Sequence, residues 1–406
     1  MTNVTHELDS VFPAAPGGRH VVLHTRVITG TGGGPDKTIL LSAPFMSGTP
    51  YWLVAAYLHP PDDPGFHEVQ NKAVQAGCPL IAVPDAGPLD CSVFRVLLDL
   101  CRRYKVRIWH GHDYKSNLLG LAVRPFWNMK LVTTVHGWVK RTAKTPLYYA
   151  IDRWCLPYYH RVICVSPDLI DRARTLGVPD ERLSLVFNAI DESRFKRHHP
   201  PDQARLRLQY QVPPGRVVMG AVGRLSTEKG FCLLIRAVHA LVERGLDLEL
   251  WIAGEGDQRG DLEDMVERYD LAGRVRLLGF VEDTISLYHA LDLFVLSSLR
   301  EGLPNVVLEA MSMHVPVVVT QVGGVGDLIQ HEQTGLICTA GELDALIEAC
   351  QRLVTDKTLR RRLAMAGRKA IESHYSFGQR MDQIRHIYDN VLGIPKPNTA
   401  DSPSSA

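Results

Sequence analysis

The feature that most limits what this chain can become is a rhythm. Short β-branched runs alternate with helix-like stretches, and the whole series occurs twice. Runs at 21–28, 52–57, 79–83, 106–110, 131–136 and 161–166 each end in glycine or polar punctuation and lead into sequence of helical period. A second series starts at 217–222 and continues through 248–253, 275–279, 293–297, 315–320 and 335–338. Strands that alternate with helices form mostly parallel sheets covered on both faces, so each series predicts a doubly wound α/β domain. Between them, KRHHPPDQARLRLQYQVPPGR carries Pro200, Pro201, Pro213 and Pro214 with little apolar period, which suits a linker. The expected organisation is a first Rossmann-like domain over 1–195, a linker over 196–216 and a second domain over 217–375. A helix over 376–393 is expected to return to the first domain, and a Pro/Ser-rich tail over 394–406 is expected to be disordered. A length of 406 residues agrees, since single cores stop growing at roughly 250–300 residues.

Ligands of open α/β sheets sit beyond the carboxyl ends of the strands, so two such domains are expected to face each other across a ligand-binding cleft. A net charge of +1 gives no global attraction to nucleic acid or anionic lipid. Eight cysteines are scattered without a C-x-x-C, mostly in apolar runs, as in a reduced, cytoplasmic protein. The first twenty residues lack a basic segment followed by an apolar one, and no run approaches the roughly 20 apolar residues of a spanning helix. Any membrane contact is therefore expected to be peripheral.

The stretch TGTGGGPDKT, Thr29 to Thr38, follows the first strand run and comes close to a phosphate loop. The P-loop pattern fails because Asp36 stands where its second glycine belongs, behind Pro35, which has no N–H to offer. As a dinucleotide fingerprint it fails at Pro35, where the last glycine is required. By itself the segment admits either an anion at the start of a helix from Thr38 or an ordinary tight turn.

The segment richest in chemistry is SSLREGLPNVVLEAMSMHVPVVVT, Ser297 to Thr320. A strand end leads to a loop with Gly302 and Pro304, then to a helix capped by Asn305, with Glu301 before that helix and Glu309 inside it. Amides of a first helical turn favour an anion, whereas carboxylates beside them suit hydroxyls such as those of ribose or a sugar. Upstream, GAVGRLSTEKG places Arg224 and Lys229 on a strand-to-helix loop, a planar fork and a point charge able to neutralise a diphosphate.

These segments resemble the large retaining family of GT-B fold glycosyltransferases that includes phosphatidylinositol mannosyltransferases and sucrose synthases. EGLPNVVLEA matches the family's pair of glutamates, GAVGRLSTEKG its diphosphate-holding Arg and Lys, and LWIAGEGDQ, RVRLLGFVED and VGGVGDLI its following strands and loops. TTVHGW resembles the strand end that carries a His near the donor sugar, and VFNAIDESRF the segment before the linker, with Ala189 in place of the commoner Gly. The resemblance implies a metal-independent, retaining transfer from a nucleotide sugar without cofactor or covalent nucleophile. In it His136, Arg224, Lys229 and Glu301 serve catalysis, while Gly33, Gly34, Val281, Gly302, Leu303, Pro304, Asn305 and Glu309 bind the donor. GGPDKTILL would be the family's Gly-Gly loop. RVITGTGGGPDKTIL, HGHDYKSN and TTVHGW resemble members that assemble bacterial exopolysaccharide.

A divalent metal would call for a carboxylate cluster, and the nearest spacing, Asp247 with Glu249, lies inside a strand run. His110, His112, Asp113, Lys115 and Asn117 in WHGHDYKSN follow another strand and are expected to meet the acceptor, a glycan or lipid-linked glycan. His110, His112 and His136 admit zinc only weakly, with no carboxylate in view to hold the rings. The interval 102–161 holds twelve Lys or Arg against Asp113 and Asp152, interleaved with aromatic residues. It fits either docking on an anionic membrane surface or a solvated face over buried rings, and no nucleic-acid motif accompanies it. Rival functions are a nucleotide-sugar epimerase, which needs further acid/base carboxylates, and a non-catalytic nucleotide-sugar-binding subunit.

Overall fold

The computed structural model describes residues 17–87, 90–137, 145–197 and 206–395. The chain divides into two compact units, one of residues 1–187 with 380–406 and one of residues 188–379.

The first unit runs β1 (His20–Val27), α1 (Gly34–Phe45), β2 (Tyr51–His59), α2 (Phe66–Gln75), β3 (Leu80–Pro84), α3 (Ser92–Arg103), β4 (Ile108–Gly111), α4 (Tyr114–Val123), β5 (Lys130–Val135), α5 (Thr145–Cys155), β6 (Arg161–Cys164), α6 (Pro167–Thr175) and β7 (Leu183–Leu185). Its sheet is parallel throughout, in the order β3-β2-β1-β4-β5-β6-β7. Trp109, Leu131, Val162 and Leu97 sit in a core of fully buried residues. β-branched and aromatic side chains on both faces of these strands remove apolar surface from water on each side, at about 25 cal/mol per Å².

The second unit runs β8 (Val217–Val222), α7 (Phe231–Glu243), β9 (Leu248–Ala253), α8 (Arg259–Arg268), β10 (Val275–Gly279), α9 (Thr284–Ala290), β11 (Leu293–Leu296), α10 (Asn305–Ser312), β12 (Val317–Thr320), α11 (Val325–Leu328), β13 (Leu336–Cys338), α12 (Leu343–Thr355) and α13 (Lys357–His374). The parallel order is β10-β9-β8-β11-β12-β13. Leu250, Ile252, Val295, Val318 and Leu353 centre its core. A last helix, α14 (Phe377–Leu392), carries the chain from the second unit back into the first.

Both sheets reverse direction beside their first strand, between β1 and β4 in one and between β8 and β11 in the other. Such switch points open a crevice at the strands' carboxyl ends, and the loops that follow these four strands are those that the sequence singles out.

Four expectations are corrected. The units divide after Phe187, not within 196–216. Ile190 bridges to Ser376, Phe195 is buried, and Arg368 donates to the carbonyls of Glu192 and Phe195, so the segment packs on the second unit. Arg197 and Arg207, from the expected linker, likewise donate to carbonyls of that unit at His289, Leu291 and Ala290. Helix α1 begins at Gly34, four residues before Thr38, because Gly33 caps it, Pro35 occupies an early position that tolerates proline, and the Asp36 carboxylate accepts from the Gly33 amide at 2.7 Å. Pro304, and not Asn305, is the cap of α10. The expected tail beyond residue 395 and part of the linker lie outside the described residues.

Candidate active site

In the second unit, β8 delivers the chain to Gly223, exposed Arg224 and buried Leu225, followed by a short 3-10 turn, Thr227–Lys229. Gly230 then adopts φ 65°, and a Cβ there would lie 2.2 Å from the Ser297 carbonyl oxygen, so only glycine lets this loop press against the end of β11. Ser297 Oγ donates to the Lys229 carbonyl, and the Leu299 amide donates to that of Glu228. The two switch-point loops are thereby joined.

Lys229 Nζ lies 2.5 Å from Glu301 Oε1, which also accepts from Ser298 Oγ at 2.7 Å. A second close approach backs Glu301: Gly323, at φ 45°, packs its Cα face onto the Glu301 carbonyl, and the Gly324 amide donates to the Gly302 carbonyl. Leu303 is buried, and its carbonyl accepts from Asn188 Nδ2 at 3.3 Å. Asn305 starts α10 with a buried Oδ1 that has no hydrogen-bond partner among the described residues. Glu309 is buried one turn further on, where Tyr288 donates its hydroxyl to Oε2 at 2.9 Å. Burial, then the Glu309 charge, holds the Tyr288 phenol well above its usual range, so it stays a donor. Val281 is half-buried in the loop between β10 and α9. Lys229 and Glu301 therefore form a bonded pair, Gly302 and Leu303 continue the Glu301 loop, and Arg224, earlier in the Lys229 loop, is exposed. Glu249 belongs elsewhere: it is buried in β9 against Trp251, Arg216 and Arg276.

In the first unit, the loop after β1 is held by carboxylates. Asp63 accepts from the Gly30 amide at 2.6 Å, and Asp36 takes the Gly33 amide while pairing with Arg26 at 2.6 Å. The Gly33 amide that the resemblance offers to a phosphate is thus already bonded to a carboxylate of its own loop. The loop after β4 turns into α4 through Asp113, whose carboxylate accepts from the amides of Lys115, Ser116 and Val27. Burial raises the Asp113 pKa and these amides oppose the shift.

Lys115 and Asn117, expected to reach an acceptor, are instead buried. Lys115 Nζ is 2.6 Å from Asp85 Oδ1 and donates to the Gly87 carbonyl, and Asn117 Nδ2 donates to Asp152 Oδ1 at 2.6 Å. A buried ammonium needs a carboxylate, which is why this lysine turns inward.

His110 and His112 are buried too, and they join a group that the sequence reading missed. His24 lies in β1 directly opposite His110 in β4, their rings stacked at 4.6 Å. His24 Nδ1 meets His112 Nε2 at 2.9 Å, and His112 Nδ1 meets half-buried His136 Nε2 at 3.2 Å. His110 Nδ1 meets Tyr388 Oη at 2.7 Å and its Nε2 meets Thr134 Oγ1 at 2.8 Å. Burial foremost, with positive charge from Arg380 or Arg26, pushes His110, His112 and His136 well below the usual imidazole range and His24 to about 3. The signal available in the sequence was a polar side chain at an inward position of an otherwise apolar strand.

One nitrogen each from His24, His110 and His112 lies within 4.8 Å of the others. His24 Nδ1 and His112 Nε2 already meet each other at 2.9 Å, a contact that commits one hydrogen and one lone pair between them. Arg380 is buried, and its charge adds to the burial that lowers the His110 pKa. The arrangement suits hydrogen bonding between neutral rings.

Two features thus define the class: two doubly wound parallel sheets, and a lysine-carboxylate pair at the switch point of the second. Residues 54–194 match the model of Glycosyltransferase Family 4 and residues 216–356 that of Glycosyl transferases group 1. The lipopolysaccharide core biosynthesis glycosyltransferase LpsD of Rhizobium meliloti is 30% identical over 59% of this chain and 67% of its own. An Escherichia coli UDP-Gal:alpha-D-GlcNAc-diphosphoundecaprenol alpha-1,3-galactosyltransferase is 28% identical over 73% of this chain and 78% of its own. Among solved structures, Anabaena HepE in complex with UDP superposes with a TM-score of 0.78 at 19% identity, covering 91% of this chain and 100% of that one. The chain belongs to the group 1, Family 4 glycosyltransferases, and its fold is GT-B.

Proposed function

We propose that this glycosyltransferase moves a sugar from a nucleotide-sugar donor to a glycan or lipid-linked acceptor in bacterial exopolysaccharide or cell-surface glycan synthesis, with retention and without a metal. The observation that carries the reading is the Lys229–Glu301 pair at the second sheet's switch point. Anomeric C–O cleavage builds negative charge on the leaving diphosphate, and a fixed ammonium with exposed Arg224 beside it neutralises that charge where other enzymes recruit a divalent ion. On donor binding Lys229 exchanges Glu301 for phosphate, which frees the Glu301 carboxylate to accept from sugar hydroxyls. Glu309, fixed by Tyr288, takes the ribose hydroxyls, the unpartnered Asn305 Oδ1 and the loop at Gly302 and Pro304 line the donor, and backbone near Val281 meets the base. His136 contacts the sugar near its transferred end. The leaving phosphate takes the acceptor's proton, so no nucleophile is needed.

A membrane-bound acceptor has support in the first unit. Five of the exposed large hydrophobic residues, Leu118, Phe126, Leu147, Trp154 and Tyr158, fall within the basic interval 102–161. Trp138, Lys140, Arg141 and Lys144 of that interval lie outside the described residues. Basic side chains contribute about 1 kcal/mol each at an anionic surface, and exposed aromatic rings anchor at the headgroups. No described helix is long and apolar enough to cross a membrane.

The test is a panel of nucleotide sugars scored by the rise in melting temperature, since a bound ligand stabilises by mass action. The expected result is a rise with one donor class that persists in EDTA, with turnover likewise unaffected. Activity lost in EDTA and restored by manganese would remove the metal-independent reading. Flotation with anionic liposomes checks the docking surface, and recovery no better than with neutral liposomes removes it.

A further inference from the structure

Thr134, His110, Tyr388, His24, His112 and His136 form one unbroken hydrogen-bonded series in the first unit. Its links are 2.8, 2.7, 3.4, 2.9 and 3.2 Å from Thr134 outward. Each neutral imidazole has one donor and one acceptor nitrogen, and a phenol has one hydrogen to give. Along the rings every link points out towards His136 or every link points in towards Thr134. A reversal is open only at Tyr388, whose oxygen can accept from both His110 and His24, and it leaves the buried phenol hydrogen without an acceptor.

Thr134 decides between them. Its buried hydroxyl has His110 as its hydrogen-bond partner, with no other among the described residues. In the inward arrangement Thr134 accepts from His110 and its own hydrogen is left buried without an acceptor, the costly outcome for a polar group. In the outward arrangement Thr134 donates, and every buried donor in the series has a partner. The outer end is half-buried His136, where a ligand or water can complete the bond.

We propose that Tyr388, His24 and His112 are positioning residues that, with Thr134 and His110, lock His136 as its Nδ1–H tautomer, so that it presents a hydrogen-bond donor to an oxygen of the bound substrate. The same polarity places the proton on Nδ1 of His24, His110 and His112 as well. A uniform set of four Nδ1–H tautomers is a sharp signature, because free imidazole side chains favour the Nε2–H form. The ligand group recognised is an oxygen acceptor, a sugar hydroxyl oxygen or a phosphate oxygen, and not an N–H or O–H aimed at the ring. That the oxygen belongs to a donor sugar rests on the function proposed above, whereas the tautomer lock does not.

The experiment is nitrogen-15 NMR of the full chain with labelled histidine, read alongside steady-state kinetics. The wild type is expected to show pyrrole-like Nδ1 and pyridine-like Nε2 shifts for all four rings. Tyr388→Phe removes the hydroxyl that joins His110 to His24 and is expected to let His136 revert to mixed or Nε2–H tautomers, with kcat down about tenfold and KM for the donor little changed. Thr134→Val, a near-isosteric change, is expected to do the same and serves if the phenylalanine variant does not fold. Nε2–H or mixed tautomers in the wild type, or an unmoved His136 in a folded Tyr388→Phe, would overturn the proposal. A shifted tautomer with unchanged kcat upholds the lock and instead removes His136 from the proposed reaction.

Discussion

Two lysines that look alike in the sequence have opposite surroundings. Lys229 follows β8, keeps a fifth of its side chain exposed and is paired with Glu301. On the proposed mechanism, Lys229→Ala deletes the cation that meets the developing charge, and is expected to cost about 3 kcal/mol of transition-state stabilisation, roughly a hundredfold in kcat, with the melting temperature nearly unchanged. Near wild-type turnover would take Lys229 out of the site. Lys115 is sealed in with Asp85. Removing one partner of a buried ion pair leaves the other charge stranded, so Lys115→Ala is expected to cost about 3–5 kcal/mol of folding stability. Urea unfolding reads this directly; full stability with a raised KM for acceptor would restore the role first expected for Lys115. Which lysine is which was not legible locally, because Asp85 lies thirty residues upstream in sequence and only the β3–β4 geometry brings it near. The placement of Glu301 before α10 and Glu309 inside it was legible, since both sit on a single loop and helix.

At the level of elements, the histidine series lies across β1, β4 and β5 and is closed by α14, so its electrostatics belong to the sheet. A histidine whose folded pKa is depressed stays neutral while the unfolded chain takes up protons below the ordinary value of 6.5. Stability from this source is complete above that value and is lost as the pH falls through the window, which for His24 extends down to about 3. The four depressed histidines act in the same direction, so the loss of stability steepens at acid pH. Asp113, shifted upward, works the other way over a narrow range above its ordinary value, because its buried carboxyl is easier to keep protonated in the fold. Calorimetry from pH 7.5 to 5 is expected to show a falling melting temperature, and His112→Gln a shallower fall; a flat profile would mean that the rings take protons in the folded state. The strands themselves were readable from apolar runs, within about two residues at their ends. Strand β7 was not, because its residues, Leu183–Leu185, read Leu-Ser-Leu and make no continuous apolar run. The early start of α1 was written in Gly33, Pro35 and Asp36, but only as a cap and not as the phosphate loop that the glycines imitate.

On the scale of the whole molecule, the two units differ in how the chain composes them. The second is continuous, Asn188–Gln379, whereas the first is completed only by the chain from Arg380 onward. That late piece is structural and not ornamental: Tyr388 is fully buried with its hydroxyl on His110, its ring lies 5.3 Å from Tyr51, and Asp389 accepts from the Tyr51 hydroxyl at 2.5 Å. Closing a loop as long as the second unit costs entropy that grows only as the logarithm of its length, and less once that unit has folded and drawn its ends together. The second unit is therefore expected to fold without the first, and the first to need the last helix. Residues 188–379 alone are expected to unfold cooperatively in urea. Residues 1–187 alone are expected to lack a cooperative transition, and to gain one when a peptide spanning 376–395 is added. A full cooperative transition in 1–187 without the peptide would show that the sheet holds its register unaided, and that Tyr388 and Asp389 bind a unit already formed.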